Sequence, residues 1–226
     1  MREIVLDTET TGLRPQDGDR IVEIGCVELV SLLPTGRTWH AYINPDRPVP
    51  EEAARVHGLR DDFLADKPVF AAIAEDFLAF IGDDVPLVIH NAPFDVGFLN
   101  HEMKMLGLPR LTPTRIVDTL DMARKSLPPG TSASLDSLCR RFKVDLSERK
   151  LHGALLDAQL LAAVYLALRG GREPDLAMDT THEGGEFLTE AAPVAGRVHR
   201  VPRPHAPTEE EQEAHEAFLA TLRARS

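Results

Sequence analysis

An apolar run that leads directly into two closely spaced acids constrains this 226-residue chain more than any other feature. Residues 4–6 read Ile-Val-Leu, and Asp7 and Glu9 follow two positions apart, before a Thr-Thr-Gly sequence at 10–12. On a β-strand, side chains two residues apart point to the same face, so both carboxylates would lie at one place. Two ionised carboxylates that close repel each other unless a cation lies between them or one takes up a proton. Taken alone, the segment predicts either a site for a hard cation such as Mg²⁺ or Mn²⁺ or two solvated acids at a strand end.

The composition indicates a soluble, globular protein that does not hold duplex nucleic acid by a basic surface. Apolar residues make up 43% of the chain, charged residues 27%, and the formal net charge is −11. A polyanionic substrate would therefore have to be admitted through bound cations, a local patch or a partner. Only two cysteines are present, Cys26 and Cys139, and neither belongs to a CxxC motif, which argues against disulfides and structural zinc. No apolar run reaches membrane-spanning length and no signal peptide precedes the first strand, so we expect a cytoplasmic protein with no membrane partner.

Hydrophobic patterning predicts an α/β domain over residues 1–171. Strands are predicted at 2–6, 21–30, 37–43, 87–89 and 115–118. Short links between the first three indicate an antiparallel meander within a mixed central sheet, and the nearly continuous apolar character of 21–30 predicts a strand covered on both faces. Flanking helices are predicted at 51–56, 69–81, 92–106, 119–125 and 134–142, and a long one opens near 151 and ends at 170. Asp118 is the predicted N-cap of the helix over 119–125, and Ser134 is that of the helix over 134–142.

Three further residues of chemical interest lie near predicted helix starts. Asp95 falls in the first turn of a helix with Asn91 as its N-cap, where an acid also simply complements the helix dipole. His152 and Asp157 are five residues apart, which on one helix would place them roughly 140° apart, on different faces. They can serve one site only if His152 precedes the helix in a loop that folds back; a surface histidine and an exposed acid are the alternatives. Asp157, however, lies among leucines and alanines, where a charge requires a reason.

Taken together, these residues resemble the DEDDh family of 3′→5′ exonucleases, which has a ribonuclease H-like fold. The resemblance covers about residues 1–171 and is carried by the segments LDTETTG, VHGL, HNAPFDVGFL, SLDSLCRRF and LHGALLDAQLLAAVYLA. It implies that His152 is the general base and that two divalent cations, Mg²⁺ or Mn²⁺, are bound by four catalytic carboxylates: Asp7, Glu9, Asp95 and Asp157. It further implies a set of substrate-binding residues around the terminal nucleotide: Thr8, Thr10, His57, Asn91 and Phe94.

Within that family, the segments are most similar to the proofreading exonuclease subunits of bacterial replicative DNA polymerases. This similarity implies removal of mispaired 3′-terminal nucleotides from single-stranded or frayed DNA, with release of nucleoside 5′-monophosphates. Stacking of a single-stranded end on Phe94 would need no basic groove, which agrees with the acidic chain. A stand-alone exonuclease of DNA repair or RNA processing would share every catalytic residue, and a non-catalytic structural subunit would share the fold. The sequence leaves both open, as it does Mg²⁺ against Mn²⁺ and DNA against RNA.

The composition changes after Gly171. Scattered proline and glycine without periodicity predict a flexible linker over 172–207, and a capping box from Thr208 to Glu211 opens an amphipathic helix over 208–226. One side of this helix is apolar and consists of Ala214, Ala217, Phe218 and Leu222. A helix this short is not stable alone in water, so we expect it to bind the polymerase catalytic subunit, with docking on its own domain as the alternative. The tail contains no glutamine-led clamp-binding motif, so direct contact with a sliding clamp is not expected.

Overall fold

A five-stranded mixed sheet organises the part of the chain that the computed structural model describes, which is residues 1–147, 149, 151–170 and 212. The strand order is β3-β2-β1-β4-β5, and the strands are β1 (Arg2–Thr10), β2 (Ile21–Val30), β3 (Leu33–Tyr42), β4 (Leu87–Ile89) and β5 (Ile116–Asp118). Strands β1, β2 and β3 pair antiparallel, whereas β4 pairs parallel with β1 and β5 pairs parallel with β4. The predicted mixed sheet with an antiparallel beginning is confirmed.

Helices flank this sheet on both faces. Within the described residues they are α1 (Glu51–His57), α2 (Asp61–Leu64), α3 (Phe70–Ile81), α4 (Ala92–Met105), α5 (Thr119–Ser126), α6 (Leu135–Arg141) and α7 (Ala154–Leu168). The short α2 and two 3-10 turns, Pro15–Asp17 and Pro113–Arg115, were not predicted. In this same part of the chain, no helix combines the length and apolar character needed to cross a membrane. The predicted linker over 172–207 and helix over 208–226 lie outside the described residues, apart from residue 212.

The predicted helix caps are confirmed in two cases out of three. The Asp118 side chain accepts a hydrogen bond from the Leu120 N–H at 2.9 Å and opens α5. The Ser134 hydroxyl accepts from the Ser137 N–H at 3.3 Å and opens α6. Asn91 occupies the cap position of α4, but its side chain makes no capping hydrogen bond. Its backbone is left-handed, with φ 63°, instead of the extended conformation that directs a capping side chain at the first helical N–H groups.

Two strand boundaries differ from the prediction. Strand β1 continues to Thr10 instead of ending at residue 6, because residues 7–10 keep pairing with β2. Strand β3 begins at Leu33 instead of residue 37, after a tight turn at Ser31 and Leu32. Both turn residues have positive φ, 52° and 70°, as two-residue hairpins require. Because neither is glycine or asparagine, the sequence contains no sign of this turn.

Alternate residues of β1 pack into two separate apolar layers. Ile4 and Leu6 face a core built with α3 and α4, whereas Val5 faces a core built with α6 and α7. The period of two continues along the strand, so Asp7 and Glu9 lie on the α7 side and Thr8 lies on the α4 side. The alternation that buries the strand therefore also distributes its polar residues between two helices.

Gly25 of β2 lies directly against the first turn of α7. A Cβ at this position would lie 2.3 Å from the Ala154 carbonyl carbon and the Leu155 nitrogen. These are backbone atoms that cannot rotate away, so the close approach requires glycine. Gly25 pairs with Asp7 across the sheet, and the approach therefore brings the first turn of α7 close to the acids of β1.

We expect Gly25→Ala to lower the free energy of unfolding by about 1–3 kcal/mol, the usual effect of overpacking a core. Gly97→Ala is the matched control, because a Cβ there meets no atom within 4 Å and the position lies inside α4. That variant should be neutral or more stable by roughly 0.5–1 kcal/mol, since alanine favours a helix over glycine. Urea unfolding of both variants measures the difference, and equal losses would contradict the proposed contact.

Candidate active site

The candidate site lies where β1 extends past the end of β4. Strand β4 pairs with β1 only at Ile4 and Val5, so from Asp7 onward β1 has a hydrogen-bonded neighbour on the β2 side alone. The chain leaves β4 and enters α4, whose first turn carries Asp95, while the first turn of α7 carries Asp157. Open α/β sheets generally bind ligands in such a crevice outside the carboxyl ends of their strands.

The four carboxylates singled out in the sequence come together in this crevice. Burial, followed by repulsion from Asp95, Glu9 and Asp157, raises the pKa of Asp7 well above its ordinary value. Burial, followed by the charge of Asp157, raises the pKa of Glu9 to about 8. Burial raises the pKa of Asp95 to about 7, against the opposing effect of a 2.7 Å hydrogen bond from the Thr8 hydroxyl. These shifts indicate anions that have too little positive charge around them.

Buried acids elsewhere in the domain have dedicated partners. Glu3 accepts a 2.7 Å hydrogen bond from the Tyr165 hydroxyl, and Glu102 accepts two, of 2.7 and 2.8 Å, from Arg20. In contrast, within the described part of the chain, Asp7 and Glu9 have neither a side-chain hydrogen bond nor an ion pair. Asp7 and Glu9 therefore differ from the structural acids of this protein.

This donor set fits divalent cations. Glu9, His152 and Asp157 each offer a ligand atom, and these atoms lie within 4.8 Å of one another. Carboxylate oxygens are the ligands that Mg²⁺ and Mn²⁺ prefer, and two divalent ions would balance the charge of four carboxylates. The residues present thus agree with the cofactors expected from the sequence.

His152 lies in the loop before α7, where the five-residue spacing required it. Its N–H donates to the Val56 carbonyl at 3.1 Å, which ties the loop back onto α1. Its Nδ1 lies 3.4 Å from Oδ2 of Asp157, and 49% of its side-chain surface is exposed. His152 therefore reaches both the carboxylates and solvent.

Arg149 is a member of this site that the sequence analysis missed. Its Nε and Nη2 donate to the two oxygens of Asp157, both at 2.6 Å, and its Nη1 donates to Asp136. Burial acts to raise the pKa of Asp157, but its close contact with His152 and the hydrogen bonds from Arg149 outweigh burial, and the pKa is lowered. Arg149 stands between two other charged residues in the sequence, a pattern typical of a solvated loop, and no motif marked it.

A pocket of about 600 Å³ lies beside Glu9 and is lined by Thr8, Thr10, His57 and Phe94 among others. Nδ1 of His57 accepts a hydrogen bond from the Leu59 N–H at 3.1 Å, which assigns the proton of the neutral ring to Nε2. Burial lowers the pKa of His57 and favours that neutral ring. Nε2 is buried near the Thr10 backbone without a hydrogen bond of ordinary geometry. Buried donors without a regular partner are rare in folded proteins, and His57 is one of the residues that line the pocket.

The remaining predicted substrate residues differ in what they can offer. Thr8 donates its only hydroxyl proton to Asp95, and Thr10 donates its own to the Gly12 carbonyl at 2.6 Å, so each can only accept from a ligand. Asn91 is absent from the pocket and lines a neighbouring cleft of about 770 Å³, together with Asp7, Asp157 and His152. The carboxylates therefore lie between two depressions, with Glu9 lining the pocket and Asp7 lining the cleft.

The family model described as Exonuclease (RNase_T) matches residues 4–165, which include all four carboxylates and His152. The chain belongs to this exonuclease family. It is a 3′→5′ exonuclease, and its solved structural neighbours include an exonuclease of the DEDDh type.

Individual relatives agree with the family. This exonuclease is 50% identical over 226 residues to the DNA polymerase III subunit epsilon of Rickettsia felis, covering 98% of this chain and 97% of that protein. It is 45% identical over 228 residues to the Escherichia coli K12 protein of the same name, covering 96% and 92%.

Solved structures confirm the predicted ribonuclease H-like fold. Exonuclease X in complex with 5′ overhanging duplex DNA matches with a TM-score of 0.59 and 27% identity, over 74% of this chain and 91% of that one. The nuclease domain of 3′hExo, a DEDDh family member bound to rAMP, matches with a TM-score of 0.63 over 75% and 92%. At 16% identity, the second match shows the fold alone.

We expect the melting temperature of the metal-free exonuclease to fall as the pH rises from about 5 to about 9. Glu9 has a folded-state pKa of about 8 against an ordinary value of 4.5, so the folded state binds its proton more tightly. The resulting stabilisation is complete below the unfolded pKa and is lost as the pH passes the folded value. The raised pKa values of Asp7 and Asp95 act in the same direction. Thermal melts in chelator across this range measure the effect.

Glu9→Gln is the control for this pH dependence, because it removes the titrating group and keeps the shape of the side chain. The decline should be smaller in that variant. A melting temperature that stayed level or rose with pH in the parent protein would contradict the charge assignment.

Proposed function

We propose that this exonuclease removes mispaired 3′-terminal nucleotides from DNA, as the proofreading subunit of a replicative DNA polymerase. The observation that carries the proposal is the convergence of four carboxylates, three of them with raised pKa values, beside His152 in an open crevice. The shared name of its relatives, DNA polymerase III subunit epsilon, at 50% identity over 98% of the chain, supports the polymerase context.

The chemistry follows from the placement of each side chain. Asp7, Glu9, Asp95 and Asp157 would hold two divalent cations, Mg²⁺ or Mn²⁺, which supply charge stabilisation at the scissile phosphate. Asp95 is oriented for this task by the Thr8 hydroxyl. His152, which is partly exposed and hydrogen-bonded to α1, would take the proton of the attacking water as general base. Hydrolysis then releases the last nucleotide as a 5′-monophosphate.

The pocket beside Glu9 would receive that last nucleotide. Phe94 packs on Phe98 with ring centroids 5.0 Å apart and also lines the pocket, where a base can stack on it. The buried Nε2–H of His57 would donate to an acceptor on the nucleotide. Asn91 and the cleft on the other side of the carboxylates would receive the preceding part of the strand. Stacking in a pocket favours an unpaired end, which agrees with a chain of net charge −11.

A stand-alone exonuclease is the second candidate, because the chain also matches Exonuclease X at 27% identity. Such an enzyme of DNA repair or RNA processing would use the same catalytic residues. A non-catalytic structural subunit is not supported, since the acid set and the histidine are complete. Attachment to a polymerase is therefore the property that distinguishes the two catalytic candidates.

We expect the purified protein, with millimolar Mg²⁺ or Mn²⁺, to shorten a labelled single-stranded or 3′-mispaired DNA from its 3′ end. Asp7→Asn should abolish this activity because it removes a proposed cation ligand. His152→Gln should slow hydrolysis by roughly 10²–10⁴-fold, the usual loss for a general base. Asp121→Asn, at an exposed acid paired with Lys125, is the control and should retain activity. A folded parent protein that is inactive with both cations would refute the proposed function.

We propose that the tail attaches this exonuclease to the polymerase catalytic subunit. Residues 172–226 carry eleven acids and six bases and contain none of the proposed catalytic residues. The apolar side of the predicted helix, with Phe218 near its centre, would pack on the catalytic subunit, and the linker would let the site reach a frayed end at high effective concentration. Contact with a sliding clamp is not part of this proposal, and the cytoplasmic location stays a prediction.

We expect truncation after Gly171 to leave hydrolysis of free oligonucleotides intact and to abolish co-elution with the polymerase catalytic subunit in gel filtration. Phe218→Asp should have the same effect, because it places a charge in the apolar contact. Phe187→Asp makes the same change within the predicted linker and should retain binding. If the truncated protein still co-elutes, the binding surface lies on the catalytic domain instead.

A further inference from the structure

Arg149 forms an ion pair with the Asp157 carboxylate, which the proposed cations need as a ligand. Its guanidinium takes both oxygens of Asp157 at 2.6 Å, in a pair whose side chains are 9% and 4% exposed. A bidentate hydrogen bond of this kind uses the oxygen lone pairs that would coordinate a metal ion. A divalent cation and a guanidinium also repel each other at such a distance. Arg149 and a cation therefore cannot both have these positions on Asp157.

Arg149 is also the counter-charge for the rest of the cluster. Its charge acts to lower the pKa of Asp7 and of Glu9, against the larger raising effects of burial and of the neighbouring acids. Within residues 1–147, 149 and 151–170, no other arginine or lysine side chain bonds to any of the four carboxylates. The metal-free site thus holds one internal cation where two divalent ions are expected.

Arg149 has a second ion-pair partner, Asp136, besides Asp157. Nη1 donates to Asp136, which belongs to the first turn of α6 and lines the cleft. Asp136 has 42% of its side-chain surface exposed and is not one of the four carboxylates. An arginine that leaves Asp157 can therefore stay paired with Asp136, and its desolvation cost does not rise.

The same movement would release His152. Nη2 of Arg149 lies 3.1 Å from Nδ1 of His152, and because an arginine can only donate, Nδ1 accepts from it. One nitrogen of Arg149 thus contacts both an oxygen of Asp157 and the ring of the proposed base. Displacement of a single guanidinium would free a cation ligand and the histidine together.

We propose that Arg149 is an internal counter-ion that closes the metal-free site and must leave Asp157 before a divalent cation binds there. This inference rests on the proposed function, because it takes Asp157 as a cation ligand. Its consequence is an apparent metal affinity set by competition: a closed state favoured about ten to one weakens that affinity by about tenfold.

Calorimetric titration of the full chain with Mn²⁺ tests the competition. Arg149→Gln should bind Mn²⁺ about tenfold more tightly than the parent, because the closed state is lost. Arg124→Gln is the matched control: it removes the same charge from a residue that lines the same cleft but bonds to none of the four carboxylates. Its Mn²⁺ affinity should equal that of the parent. An Arg149→Gln affinity equal to or weaker than that of the parent would overturn the inference.

Thermal melts separate this role from a structural one. In chelator, Arg149→Gln should melt below the parent, since Asp157 stays buried without its partner. In saturating Mn²⁺ the two should melt together, because the cation replaces the guanidinium in both proteins. An equal deficit in both conditions would mean that Arg149 only holds the loop, and would overturn the inference.

The two proposals fail in different ways. If the parent binds Mn²⁺ and Arg149→Gln binds it no better, the counter-ion role is refuted and the proposed function stands. If neither protein binds Mn²⁺ at millimolar concentration, both proposals are refuted.

Discussion

Repulsion among four carboxylates is the constraint on which the arrangement of this protein depends. Strand β1 runs past the end of β4, so Asp7 and Glu9 border a crevice on the β4 side while they stay paired with β2. The first turns of α4 and α7 then bring Asp95 and Asp157 to the same place. Such an arrangement costs stability without cations, as the raised pKa values show, and the apolar layers on both faces of the sheet must offset it.

Close packing of α7 on the sheet is what makes the repulsion unavoidable. The backbone of α7 contacts β2 at Gly25, where a Cβ would overlap the helix. Further along α7, buried apolar residues such as Leu161 and Tyr165 pack in the core and hold the helix against the sheet. Asp157 cannot withdraw from the acids of β1 while this packing holds. Its charge is met instead by Arg149, from a loop that precedes the helix. The sheet and the helices packed on it carry the four carboxylates, and the loop before α7 carries the arginine that pairs with one of them.

The charge of the whole chain and the charge of the site are thus connected. A protein of net charge −11 repels a phosphate backbone in general, and a crevice of four acids repels it locally. The proposed divalent cations would reverse that local field, so substrate binding and hydrolysis would depend on the same ions. The substrate contacts proposed on either side of the acids, in the pocket beside Glu9 and in the neighbouring cleft, would need little positive charge of their own.

The sequence by itself determined the features that depend on local periodicity and local chemistry. The period of two placed Asp7 and Glu9 on one face, the capping residues Asp118 and Ser134 located two helix starts, and the five-residue spacing required His152 to precede α7. Motif order was enough to give the family and its fold. Tertiary structure alone decided the pairing of Arg149 with Asp157, the contact of Gly25 with α7, the unpartnered nitrogen of His57 and the separation of Asn91 from the pocket beside Glu9. An isolated glycine inside a strand does hint at a close approach, but it does not say what approaches. These features join residues far apart in the chain, and their distances are set by how helices pack on the sheet, which no local pattern contains.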